Sequence, residues 1–141
     1  MTAITVAQAR TIVDAAFEGA ARRGVANIMV VVTDAGGALK AAQRSDSTGP
    51  AAVEIAAAKV HTALGFRRST MALADFRDNA VVNATLAGVL NGRFMPMGGG
   101  VVVVDGQGEI VGGAAFSGAA AAVDHEIIAE AVQTAGLGVL P

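Results

Sequence analysis

The chain has no cysteine, no tryptophan and no tyrosine among its 141 residues, and only 16% of them are Asp, Glu, Lys or Arg. Without cysteine there is no disulfide, no thiolate metal site and no Cys nucleophile. A net charge of -2 leaves no basic footprint for nucleic acid. Long apolar runs are missing too. None approaches the roughly 18 to 20 consecutive apolar residues that span a bilayer, so no membrane role is expected. Met1 to Arg10 lacks a basic start followed by an apolar stretch, so no secretory leader is read and the cytoplasm is the expected compartment. No HxH or HExxH spacing occurs, and no metal site is assigned.

What the chain does have is small apolar residues. Its hydrophobic fraction is 53%, mostly Ala and Val, whereas soluble chains usually carry about a quarter charged residues. Such a charge-poor surface predicts assembly with copies of itself. The length fits one domain, 1–141, able to bury roughly two-thirds of the surface of its unfolded form.

Hydrophobic periodicity sets the order of elements. Ala9, Ile12, Val13, Ala16, Phe17 and Ala20 share one face of a helix over Val6 to Arg23, with Thr5 as N-cap and Gly24 as stop. Asn27 to Thr33 is β-branched and predicts a buried strand. Asp34-Ala35-Gly36-Gly37 turns it into a second strand, Ala38 to Gln43. Thr48-Gly49-Pro50 opens a helix from about Ala51 to Leu64. A shorter, less regular helical stretch follows around Met71 to Phe76. Val101 to Val104 and Glu109 to Phe116 form a second hairpin about Asp105-Gly106-Gln107-Gly108, and a last helix runs from about Ala121 to Ala135. Helix, hairpin, helices, hairpin, helix predicts an α/β (α+β) fold in which an antiparallel sheet is flanked by helices.

The combination Val31-Val32-Thr33-Asp34-Ala35-Gly36-Gly37, Ala56 to Thr62, Gly98-Gly99-Gly100-Val101, Val103-Val104-Asp105-Gly106, and Gly112 to Gly118 with Asp124 resembles the GlcG/HbpS family over nearly the whole chain. Each motif is common by itself; five in this order are far more specific. The resemblance implies a profilin-like α-β-α sandwich, dimers and often octamers, and a haem or corrinoid as possible cofactor. Members resemble haem-binding redox-sensor accessories, the domain attached to cobalamin adenosyltransferases, and accessory proteins of catabolic operons. Haem-binding relatives can draw an axial ligand from the first helix. Here Val6 to Arg23 contains no His, Met or Cys. In many members a Pro follows shortly after the glycine pair; here Met95-Pro96-Met97 precedes Gly98-Gly99-Gly100 and no Pro follows, which reshapes the expected pocket entrance.

Two sets of residues can carry chemistry. Lys59 and His61 are two apart on a helix and point away from each other, so one pocket cannot take both. Lys59 can neutralise a ligand carboxylate or sit in an ion pair. His61 borders a small-residue face with Glu54, Ala57 and Ala58, where an imidazole can meet a ligand or serve structure alone. At the last helix, Asp124 is drawn toward the apolar side by Ile127 and Ile128, which raises a carboxyl pKa and suits acid–base work; acidic residues in a first turn also simply stabilise the helix. His125 titrates near neutrality. His61, His125, Asp124 and Glu126 form a catalytic set if the second and last helices meet. The stretch Arg93-Phe94-Met95-Pro96-Met97-Gly98-Gly99-Gly100 combines a cation, flexible apolar side chains and a glycine loop, and is the expected pocket wall. The leading expectation is therefore a protein that binds a small organic ligand or tetrapyrrole in an apolar pocket. The alternatives are a cofactor-independent lyase, isomerase or hydratase, and a purely structural assembly module.

Overall fold

The structure, a computed structural model, describes residues 3–141. Met1 and Thr2, where the stretch read for a leader begins, lie outside the described residues. Helix α1 spans Val6–Arg22 and starts with a capping box: Thr5 Oγ1 accepts from the Gln8 N–H, and Gln8 Oε1 accepts from the Thr5 N–H, each at 3.0 Å. The hairpin β1 (Met29–Asp34) and β2 (Leu39–Arg44) leads to α2 (Ala51–Phe66). A 3₁₀ turn at Thr70–Ala72 and two helices, α3 (Ala74–Arg77) and α4 (Ala80–Val89), precede the hairpin β3 (Gly100–Val104) and β4 (Ile110–Ser117). Helix α5 (Ala121–Thr134) and a two-residue strand β5 (Gly138–Val139) complete the chain.

The strands join in one antiparallel sheet of order β2-β1-β4-β3-β5. Alternation along each strand divides the core. Val30, Val32, Val101, Val103 and Phe116 face α1 and α5, whereas Met29, Val31 and Ala115 face α2, meeting Ala56 and Val60. Helices on both faces make the α-β-α sandwich that the family resemblance implies, with the helix-flanked antiparallel sheet expected from the order of elements. No helix among the described residues is long and apolar enough to cross a membrane.

Two elements differ from the sequence expectation. Met71 to Phe76 is a 3₁₀ turn followed by the start of a four-residue helix, and α4 follows where no regular element was read. Helix α4 has no buried residue, so nothing imprints an apolar stripe on its sequence. Its local signal is the Asn79 cap, whose side chain accepts from the Val82 N–H.

Candidate functional site

Helix α2 carries one side chain through to the far side of the sheet end. Ala56, Lys59, Val60, Thr62 and Ala63 are its buried positions, so Lys59 occupies a core site at ordinary helical spacing. Its Nζ donates to Asp124 Oδ2 at 2.9 Å and to the Phe116 carbonyl at 3.1 Å. Lys59 and Asp124 are only 3% and 2% exposed. The other carboxylate oxygen of Asp124 accepts from the Ala119 N–H at 2.8 Å, which ties the loop before α5 to the pair. Burial pushes the Asp124 carboxyl up, opposed by Lys59 and by the Ala119 and Gly118 N–H groups.

The three glycines explain how such a pair can be sealed. A Cβ on Gly98 would lie 2.4 Å from Met71 Sδ and 2.5 Å from the Ala121 carbonyl oxygen. On Gly99, whose φ is +127°, it would lie 2.5 Å from the Phe116 carbonyl oxygen and 2.8 Å from Lys59 Nζ. On Gly100 it would lie 2.4 Å from the Lys59 carbonyl oxygen. The backbone thus crosses directly over Lys59 and Asp124, where only hydrogen fits. Gly98, Gly99 and Gly100 are all buried. They pack on the protein's own atoms.

Their neighbours divide as well. Phe94 is buried in an aromatic cluster, its ring 5.9 Å from Phe66 and 6.4 Å from Phe76. Met95 is half-buried and held by its N–H donating to Thr62 Oγ1 at 2.8 Å. Met97 is exposed. Arg93 faces the outer side of α2, together with His61.

That outer side holds the candidate site. A cavity of about 530 Å³ lies between α2 and the end of α4, lined by His61, Phe66, Val89, Leu90, Asn91 and Arg93. Its size falls within the range of organic-ligand sites. Two smaller hollows adjoin it through His61: one of about 250 Å³ with Glu54, Ala57, Ala58 and Arg93, and an apolar one of about 200 Å³ reaching Val53, Leu39 and the β1–β2 turn at Gly37. The His61 ring packs against that turn, since a Cβ on Gly37 would come within 3.3 Å of it. Burial, assisted by the charge of Arg93, pushes the His61 imidazole below 6.5. That shift favours the neutral imidazole, the form able to ligate a metal or accept a proton. Phe66 joins the cavity wall to the aromatic cluster, which fixes the wall's position.

The residues read as an acid–base set are distributed differently. His61 faces outward from α2 on one side of the sheet, whereas His125 and Glu126 belong to α5 on the other. Glu126 lies on the surface, 3.3 Å from Arg23. His125 has a pKa lowered by burial and a buried Nδ1 without a hydrogen-bond partner. Helices α2 and α5 do meet, through Lys59 and Asp124, but that contact does not bring the two histidines together in one protomer. Among the described residues no group of three His, Asp or Glu side chains is placed to hold a metal ion. Phe66, Val89, Leu90 and Asn91 were missed by sequence reasoning. The signal for Leu90 and Asn91 was their position immediately before Gly92-Arg93; the signal for Val89 was hidden with α4.

Comparison with known proteins places this architecture. In a haem complex of PduOC the fold superposes with a TM-score of 0.86 at 25% identity, covering 99% of both chains. HbpS matches with a TM-score of 0.79 at 27% identity over 94% of this chain and 90% of that one. The Klebsiella pneumoniae protein ORFY shares the fold, with a TM-score of 0.85 at 21% identity over 96% and 92% of the two chains. No curated protein matches the sequence. The model of the family described as haem degrading protein HbpS-like matches residues 4–133, and with that span nearly the whole chain is accounted for: it belongs to the HbpS-like family.

Proposed function

We propose that the chain binds a planar, acid-bearing tetrapyrrole of the haem type in the groove between α2 and the Val89–Arg93 turn. The observation that carries this reading is the convergence, in one cavity of about 530 Å³, of the His61 imidazole, the Arg93 guanidinium and the apolar side chains of Phe66, Val89 and Leu90. Each matches one part of such a ligand. A neutral imidazole is a metal ligand, a guanidinium pairs with a carboxylate, and apolar side chains cover a macrocycle face. The PduOC relative, crystallised as a haem complex, supports the ligand class. The bound group would supply a redox-active, Lewis-acidic iron; His61 would hold the metal and Arg93 a propionate. With no His, Met or Cys in α1, the groove at His61 is the place where this chain offers an imidazole beside a cation. The low charge content supports assembly with further copies.

Haem titration followed by visible absorption tests this. Wild type should give a saturable, shifted Soret band. His61→Ala should change the band position as well as the affinity, because it removes a ligand to the metal. Arg93→Ala should keep the band but weaken binding about tenfold or more, the equivalent of one charge-assisted hydrogen bond. An unsaturable, featureless spectrum for wild type, or unchanged behaviour in both variants, would refute the assignment.

A further inference from the structure

The two outer faces of the sandwich are built for different surroundings. On the α1 and α5 side, Arg22, Arg23, Glu126 and Glu130 pair across the two helices, and α1 adds Arg10, Asp14 and Glu18. That is a solvated face. On the α2 and α4 side, residues 79–92 contain no charged residue at all. Helix α4 buries none of its ten residues, and Val81 and Val89 stand 76% and 70% exposed. A helix this short is marginal in water by itself, and one that is mostly apolar needs a partner surface. The exposed surface continues across the groove. Val89 lines the large cavity, and Val53 and Leu39, also exposed, line the apolar hollow that joins it at His61.

We infer that this face is the contact between two copies of the chain, and that α4 of the second copy closes the His61 groove, so the ligand site is shared between subunits. This rests on the tetrapyrrole reading for the ligand, while the contact itself rests on α4. Three features favour a second copy over another partner. The charged residues lining the hollows are Glu54 and Arg93, of opposite sign, so the patch meets itself without net repulsion. A two-fold contact sets one patch against its own copy, which an uncharged helix tolerates and a charged one does not. The chain's opposite face, dense in paired ions, is a poor counterpart for an apolar helix. Depletion of charge with exposed aliphatic side chains is the composition of a subunit interface core.

Val81→Glu tests the contact without touching the groove, since Val81 is the most exposed aliphatic of α4 and does not line the cavity. Molar mass by light scattering and haem affinity are measured on wild type and variant, with circular dichroism to show that both are folded. Wild type should have at least dimer mass, and the variant should fall to a smaller assembly with haem affinity reduced about tenfold. The companion Glu18→Lys, on the solvated face, should leave both unchanged. A monomeric wild type, or a variant of unchanged mass, would overturn the contact. A smaller variant that keeps full haem affinity would overturn the shared site. Failure of wild type to bind haem would strike only the ligand reading, because the masses still decide the contact.

Discussion

Lys59→Met should cost about 3–5 kcal/mol at neutral pH, because it leaves the Asp124 carboxylate buried without its cation. For a chain of this size that is a drop in Tm of about 10–20 °C, and a large share of the roughly 5–15 kcal/mol that holds a domain together. The ion pair itself is a weak source of net stability, since desolvation offsets most of its Coulomb attraction. Lys59→Met combined with Asp124→Leu should therefore lie closer to wild type than Lys59→Met alone. Recovery will be incomplete, because Asp124 also accepts from the Ala119 N–H. Urea denaturation of the three variants decides it; a double variant less stable than the single one would show that the pair contributes more than it costs.

The same pair fixes the sign of a pH effect. Burial raises the Asp124 carboxyl above 3.8 in the native state. Between the unfolded and native values the native chain holds a proton that the unfolded chain has released, so the group favours folding at low pH. That contribution fades as pH rises through the native value. Removing Lys59 takes away the strongest interaction opposing the shift and lifts the carboxyl further. The deficit of Lys59→Met is accordingly greatest at neutral pH and shrinks as the solution is acidified. A deficit that stayed constant from neutral to acid would mean that Asp124 is not the group left stranded.

Gly99→Ala should destabilise by about 2–4 kcal/mol, summing backbone strain at a positive φ with a steric clash. The new Cβ would sit 2.5 Å from a backbone carbonyl oxygen, which cannot swing aside as a long side chain can. Gly106→Ala is the control: no atom lies within 4 Å of its Cβ position and its φ is not left-handed, so it should stay within about 0.5 kcal/mol of wild type. Thermal denaturation of the two variants compares them directly. Equal stability would mean that the strap over Lys59 is loose enough to move, and that the glycines serve some purpose other than close passage.

Much of the fold was legible because burial writes itself into periodicity. Helix α1 shows one apolar stripe behind the Thr5 cap, and both hairpins carry β-branched runs closed by glycine turns. Helix α4 left no such trace. Its residues face neither core in the protomer, and Asn83 and Thr85 are indifferent helix formers. Strand β5 is too short, at two residues, to carry any pattern. The site was partly legible: His61 was placed beside Glu54, Ala57 and Ala58, and those residues do share a hollow with it. The partner of Lys59 was not legible, because Asp124 lies 65 residues away and nothing local links them. The glycine triplet illustrates a different ambiguity. A run of glycines allows close approach of the backbone to something, and sequence does not say whether that is a ligand or the protein's own lysine.

A crystal of the haem-saturated protein, grown without other tetrapyrroles, tests the location of the site most directly. The expected result is a planar density in the groove of Phe66, Leu90 and Arg93, with His61 bonded to the metal and a carboxylate against the guanidinium. Density instead in the separate hollow of about 320 Å³ between α1 and β2, beside Arg10 and Gln43, would contradict it.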